Sequence, residues 1–304
     1  MKPLKRLLTA LVLCLFASFA MAEGVFPDLS RPFEALFLPR GVEWTENSYR
    51  SQNLYIQITT RRECGSDVYI AEIYARTAQS LRRAFGGEAW NTRSERIGTL
   101  AQRNGAVLAL MGDNGHLLKA GYVVGNGQLW RSRGNQQRDL CVLYRDGSMV
   151  IHKAPADEAL IDAQQQQGLI WQTFVFGPSL LDDAGKALEA FPTSDVERSN
   201  PRAVIGYDQP GHYYLVQVDG RGTLSALEPD ASNEGMTLAE LAQLMESLGC
   251  SAAYNLDGGQ SASMWFCDRV ISTPYHNGRA VGDVIVLCEP PGNAADSIES
   301  FLVE

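Results

Sequence analysis

RAVIGYDQPGHYYLVQVDGR at residues 202–221, then GMTLAELAQLMESLGC at 235–250 and AAYNLDGGQSASMWF at 252–266, is the stretch whose reading decides the architecture. Two β-type runs flank a turn at Asp208 to Gly211, the pattern of an antiparallel hairpin. Thr237 and Glu240 have capping-box spacing, and Leu238, Leu241, Leu244, Met245 and Leu248 share one helical face before Gly249 ends the helix. Ala252 to Tyr254 reads as a short strand that carries Asn255 and Asp257 outward. It breaks at Gly258 and Gly259 into a hydroxyl-rich turn before Met264-Trp265-Phe266. Paired glycines admit close backbone approach and an anion-binding nest, and a carboxylate at a strand end can serve as acid, base, nucleophile or metal ligand. The same residues also suit a plain Gly-Gly hairpin with a turn-forming Asp.

Outward from this stretch, strand signals stand at Leu54 to Thr59, Val68 to Ala75 and Ala106 to Leu110, with helical signals near Ser80 to Phe85 and Ser94 to Arg103. Short strands follow around Gly121 to Val124, Leu129 to Arg131, Leu140 to Tyr144 and Met149 to His152, separated by Gly-Asn-Gly and Asp-Gly turns. A polar helix at Ala156 to Gln166 leads to a strand at Ile170 to Phe176. Strands outnumber helices and many are hairpin-linked. The expected fold is therefore α+β, a single large domain with a mixed, largely antiparallel sheet and flanking helices. Residues 23–65 read as an irregular lead-in and first strand, 66–290 as the domain, and 291–304 as a tail.

Residues 1–22 have the physics of a secretory signal: Lys2, Lys5 and Arg6, an apolar run from Leu7 to Ala20, and Ala20-Met21-Ala22 as a small-x-small cleavage site. The run falls short of the ~20 residues of a spanning helix, so an exported protein, periplasmic or secreted and without membrane insertion, is expected. The formal charge of −9 becomes more negative once those cations leave, which disfavours nucleic acid or an anionic bilayer as partner. Beyond Cys14 stand Cys64, Cys141, Cys250, Cys267 and Cys288, an odd set without CxxC spacing; Cys250 reads as a buried small hydrophobe and pairing among the others stays open. Oligomeric state is not legible.

Three apolar strands run into Asp beside Gly: Gly112-Asp113, Asp219-Gly220 and Asp257-Gly258. If these strands share a sheet, their carboxylates converge at one edge, as glycosyl transfer by two carboxylates requires, although each Asp-Gly alone also suits a turn. The ordered motifs RAVIG, YLVQVDGR, GMTLAELAQLMESLGC, YNLDGGQSASMWF and GRAVGDVIV, with VYIAEIYART, RNGAVLALMGDNG, GYVVGNGQLWR, VLYRDGSM and FGPSLL upstream, resemble the bacterial phosphodiester glycosidase family over about residues 66 to 288. The resemblance implies a hydrolase acting on a glycan or sugar-phosphate, with Asp257, Asp219 and Asp113 in catalysis. It also implies that Arg202 and Arg221 hold a phosphoryl group, since a guanidinium fork donates paired charge-assisted bonds worth about 1.5–3 kcal/mol. Asn255, Gly258, Gly259, Ser261 and Ser263 fall in the same motifs as contacts to sugar or phosphate oxygens. Arg279 and Asp283 match the closing motif, as a structural ion pair or as part of the site.

Neither serine fits a nucleophile elbow. His116, His152, His212 and His276 have no assignable partners, and His276 stands beside Tyr275 and Asn277. A divalent metal is compatible with converging carboxylates, but no ligand spacing requires one. Two departures from the family pattern stand out: Met111 occupies a position commonly Asn, without the usual following aromatics, and Gln260 replaces a third glycine. They point to altered substrate choice or weakened catalysis, and keep open a non-catalytic polysaccharide-binding or cell-wall module using the same pocket.

Overall fold

The computed structural model describes residues 25–113, 121–133, 138–191 and 197–290; the expected signal at 1–22, Asn114 to Gly115, His116 and the tail from residue 291 lie outside them. In chain order the strands are β1 (Glu43–Trp44), β2 (Ser48–Arg50), β3 (Leu54–Glu63), β4 (Ser66–Ala75), β5 (Leu81–Phe85), β6 (Ala106–Met111), β7 (Gly121–Gly125), β8 (Gln128–Arg133), β9 (Leu140–Tyr144) and β10 (Met149–His152). They continue with β11 (Ile170–Phe174), β12 (Arg202–Gln209), β13 (His212–Val218), β14 (Thr223–Leu224), β15 (Ser232–Asn233), β16 (Ala252–Asn255), β17 (Met264–Phe266), β18 (Arg269–Val270) and β19 (Asp283–Cys288). The α-helices are α1 (Ile97–Arg103), α2 (Glu158–Gln166) and α3 (Leu238–Ser247).

Two sheets carry the architecture. One has seven strands in the order β1-β2-β3-β4-β13-β12-β16, the other five in the order β18-β17-β6-β19-β5. Their ladders are all antiparallel. The sheets face one another across the main core, where Ile56, Ile73, Ile205 and Leu215 of the first meet Leu108, Leu110, Phe266 and Ile285 of the second. Strand alternation sends Val204 and Val216 to the opposite face, onto Leu241, Leu244 and Met245 of α3. Each of these apolar side chains contributes about 1.5–3 kcal/mol on burial, so α3 is held by its apolar stripe more than by helix propensity. The capping box between Thr237 and Glu240 is formed and fixes where α3 starts. A smaller cluster packs α2 through Ile161 against Val124, Val142 and Ile170.

The α+β architecture read from sequence is thus present, with mostly antiparallel sheets and few helices. Two local readings change. Leu81–Phe85 is strand and not helix, because it pairs along its length with β19. Glu43 to Arg50, read as irregular, forms the β1–β2 hairpin at the edge of the larger sheet, and Tyr49 is buried in the main core. Cys64, Cys141, Cys250, Cys267 and Cys288 are separate thiols; all but Cys64 are buried. Among the described residues no helix is long and apolar enough to cross a membrane.

Candidate active site

The ends of β13, β16 and β6 meet at one end of the paired sheets. Arg202 lies opposite Val218, and Leu256 N–H donates to the Ala203 carbonyl at 2.8 Å. Asp219 and Asp257 therefore flank β12, with backbones about 10 Å apart by two strand spacings. From the other sheet the Gly112 carbonyl accepts from Asp257 N–H at 3.2 Å, which brings the third Asp-Gly loop to the same place.

Asp257 is the most solvent-reaching of the three carboxylates. Its Oδ2 accepts from Arg279 Nη2 at 3.1 Å, while Arg279 Nε donates to Ser261 Oγ at 2.6 Å. One guanidinium thus ties the carboxylate to the hydroxyl across the glycine loop, and the Arg279 side chain keeps 43% exposure against 11% for Asp257. Arg279 itself sits on a loop that Arg96 pins by donating to the Asn277 and Gly278 carbonyls at 2.7 and 2.9 Å. The two glycines are required by packing. A Cβ on Gly258 would lie 2.5 Å from the Pro201 carbonyl oxygen, and Gly259, at φ +61°, would meet the Arg221 guanidinium at 2.8 Å. Gly259 N–H donates to the Pro201 carbonyl at 2.9 Å, so that amide serves the loop itself.

Arg221 is exposed above this loop. Its Nε and Nη2 donate to Asn200 Oδ1 at 3.2 and 3.0 Å, and its guanidinium lies 5.5 Å from the centre of the Tyr275 ring. Its φ of +58° is a left-handed conformation that a non-glycine residue seldom adopts, and such backbone strain concentrates at functional sites. Arg202 goes the other way. It is 3% exposed and donates to the Met236 and Arg198 carbonyls at 2.8 and 2.5 Å. Burial, with the charge of Arg221 adding to it, brings its guanidinium down to about 10. Of the two arginines named from sequence, Arg221 faces solvent at the cleft and Arg202 braces the entry to α3.

Asp219 lies beneath. It is buried, accepts from Thr273 N–H at 2.8 Å and from Gln217 Nε2 at 3.4 Å, and burial pushes its carboxyl up to about 6 against those bonds. Beside it, Gln217 Oε1 is buried without a hydrogen-bond partner, the Tyr69 hydroxyl interacts with the Asp219 carboxylate, and Gln217 stands opposite Tyr69 across β13 and β4. Sequence reading missed Tyr69, Gln217 and Thr273. A glutamine inside the apolar run YYLVQV was the one available signal.

Asp113 reaches the same end but turns inward. Its oxygens accept from Val175 N–H at 2.8 Å and Phe176 N–H at 2.7 Å, and Arg83 Nη2 lies 3.9 Å away. Burial, opposed by Arg83 and assisted by the negative charge of Asp283, pushes its carboxyl up to about 6. Asp283 pairs with Arg83 at 2.8 Å, and Arg279 with Asp257, so the two closing-motif residues do not pair with each other. Asn255 donates Nδ2 to the Gly177 carbonyl at 2.8 Å and leaves a buried Oδ1 without a partner; Ser263 donates to the Ser261 carbonyl at 3.2 Å. Met111 is fully buried in the main core, so its side chain does not line the cleft. Among the described residues no three His, Cys, Asp or Glu side chains are grouped to hold a metal ion.

Residues 98–288 match the phosphodiester glycosidase family. The chain is 26% identical over 210 residues to the SPbeta prophage-derived uncharacterized protein YomE of Bacillus subtilis (strain 168), covering 66% of this chain and 30% of that protein. It is 25% identical over 202 residues to N-acetylglucosamine-1-phosphodiester alpha-N-acetylglucosaminidase of Mus musculus, covering 56% of this chain and 35% of that one. It spans about a third of the length of these curated relatives. The zebrafish N-acetylglucosamine-1-phosphodiester alpha-N-acetylglucosaminidase catalytic domain, auto-inhibited by its pro-peptide, superposes with a TM-score of 0.60 at 20% identity, covering 78% of this chain and 83% of that one. That likeness speaks to fold, and the family match rests on sequence over most of the domain. The chain belongs to the phosphodiester glycosidase family.

Proposed function

We propose that this protein hydrolyses a sugar-1-phosphodiester, cutting between the anomeric carbon and the phosphate ester oxygen. The observation that carries the reading is the carboxylate of Asp257 held by Arg279, which also donates to Ser261 on the glycine loop, with the exposed Arg221 guanidinium over the same loop. A neutral glycoside needs no such pair of cations. A phosphodiester does, because its leaving group departs as a phosphate monoester whose charge the two guanidiniums can meet. Asp257 takes the role of base or nucleophile at the anomeric carbon. Asp219, kept protonated well into the acid range by its burial, takes the role of the second carboxylate. Arg202 supports this arrangement from behind by fixing the turn into α3. As an expected exported enzyme, it meets its substrate among envelope or extracellular glycans; intact mass of the exported protein, with Glu23 as its first residue, tests that part.

The experiment is turnover on a panel of aryl sugar-1-phosphodiesters, with Asp257→Asn in parallel. Release of the phosphoryl product by the wild type, reduced by about a hundredfold or more in the folded variant, is the expected result. Saturable binding without release would favour a non-catalytic glycan-binding module, and equal turnover in Asp257→Asn would remove Asp257 from the chemistry.

A further inference from the structure

We propose that the cavity between the β1–β2 hairpin and the β17–β18 hairpin is a second binding site, one that takes a neutral pyranose unit. The cavity measures about 470 Å³, within the size range of small-molecule sites. Its lining has the two chemistries a sugar ring presents. Ile58, Val270 and Ile271 form an apolar wall for the C–H face, and Thr45, Asn47 and Thr60 supply hydroxyl and amide groups for the ring hydroxyls. Thr45 Oγ1 donates to Asn47 Oδ1 at 3.0 Å, which holds both side chains in place before a ligand arrives.

Charge selects against an ionic ligand. Glu46 and Arg269 both line the cavity, and among the described residues neither has an ion-pair partner. Their formal charges cancel, so the lining carries no net charge to recruit a simple anion or cation. A neutral polyol can donate to one and accept from the other. Tyr69 also lines the cavity, and its hydroxyl is buried. The negative charge of Asp219 reaches that hydroxyl, so Tyr69 is a wall shared with the candidate active site. Asp257, Arg279 and Arg221 are not among the residues that line the cavity, and the proposal does not depend on the hydrolytic reading. Trp44 and Val270, exposed at 45% and 40%, stand on the same two hairpins and leave surface for a chain longer than one ring.

The test is titration of the full chain with maltotriose, cellotriose and chitotriose, followed by protein NMR and calorimetry. At least one should saturate with a Kd of about 1 mM. Glu46→Ala and Arg269→Ala should each weaken it by about tenfold, and Thr60→Trp, which fills the cavity, should abolish it, while Asp257→Asn binds as the wild type does. Thermal unfolding checks each fold; both surface alanine variants carry the test if the tryptophan variant does not fold. No saturation by any of the three sugars up to about 20 mM overturns the proposal. Binding untouched by the cavity variants overturns it too, and binding lost only in Asp257→Asn places the sugar in the cleft instead.

Discussion

Replacing Asp219 with asparagine should make the protein more stable at neutral pH while removing its hydrolytic activity. The folded chain holds this carboxyl near 6 against an ordinary 3.8, because it is buried and its bonds to Thr273 N–H and Gln217 Nε2 only partly offset that burial. Keeping it ionised in place therefore costs about 3 kcal/mol. Below 3.8 the group is protonated folded and unfolded, and no cost arises. Between 3.8 and about 6 the unfolded chain ionises first, so wild-type stability falls as pH rises, and above that range the whole cost is present. Asparagine escapes it. Its Oδ1 can accept from Thr273 N–H as before, and its new amide can donate to Gln217 Oε1, which has no partner in the wild type. Urea unfolding of both proteins at about pH 4 and about pH 8 should show a gap that grows to roughly 3 kcal/mol at the higher pH, or about 6 °C in Tm for a chain of this size. A gap that does not change with pH, or a variant less stable at pH 8, would refute the burial argument. Retained turnover would refute the catalytic role.

Arg221→Ala should raise KM for an aryl sugar-1-phosphodiester by about tenfold and leave any action on the uncharged aryl glycoside unchanged, if the exposed guanidinium meets the phosphoryl group as proposed; equal losses on both substrates would end that role. Asp283→Asn takes away the nearer of the two carboxylates beside the buried Arg83 guanidinium, the one at 2.8 Å, and leaves Asp113 at 3.9 Å, so it should lower unfolding stability by about 1.5–3 kcal/mol, and a loss under about 0.5 kcal/mol in urea would contradict the pairing. His212 sits between Asp208 and Glu72, each at 3.0 Å, and these partners outweigh burial to raise its imidazole above the ordinary 6.5. The stability it contributes is complete below 6.5 and lost as pH rises through its higher folded value, so His212→Gln should flatten the stability profile on that alkaline side; an unchanged profile by thermal unfolding would count against it.

Local chemistry alone determined the elements that close within a few residues. Thr237 and Glu240 cap α3 through bonds spanning three positions, its apolar stripe follows the helical period, and the β12–β13 hairpin needs only two β-type runs and a turn. The glycine loop at Gly258 was legible as a turn, but what requires its glycines, the Pro201 carbonyl and the Arg221 guanidinium, comes from distant positions. Leu81–Phe85 was not, since LRRAF becomes a strand only through β19, with Arg83 neutralised by Asp283 some 200 positions away. The three Asp-Gly loops look alike in sequence and differ in the fold. Asp113 is taken inward by the N–H groups of Val175 and Phe176, Asp219 is buried under Thr273, and Asp257, the least buried of the three, pairs with the exposed Arg279. Arg202 and Arg221 divide in the same way, one onto backbone carbonyls and one over the cleft. A side chain's type and its strand-end position are written in the chain. Whether it meets solvent or a buried partner depends on what a distant segment places against it, and that is decided only when the two sheets pack.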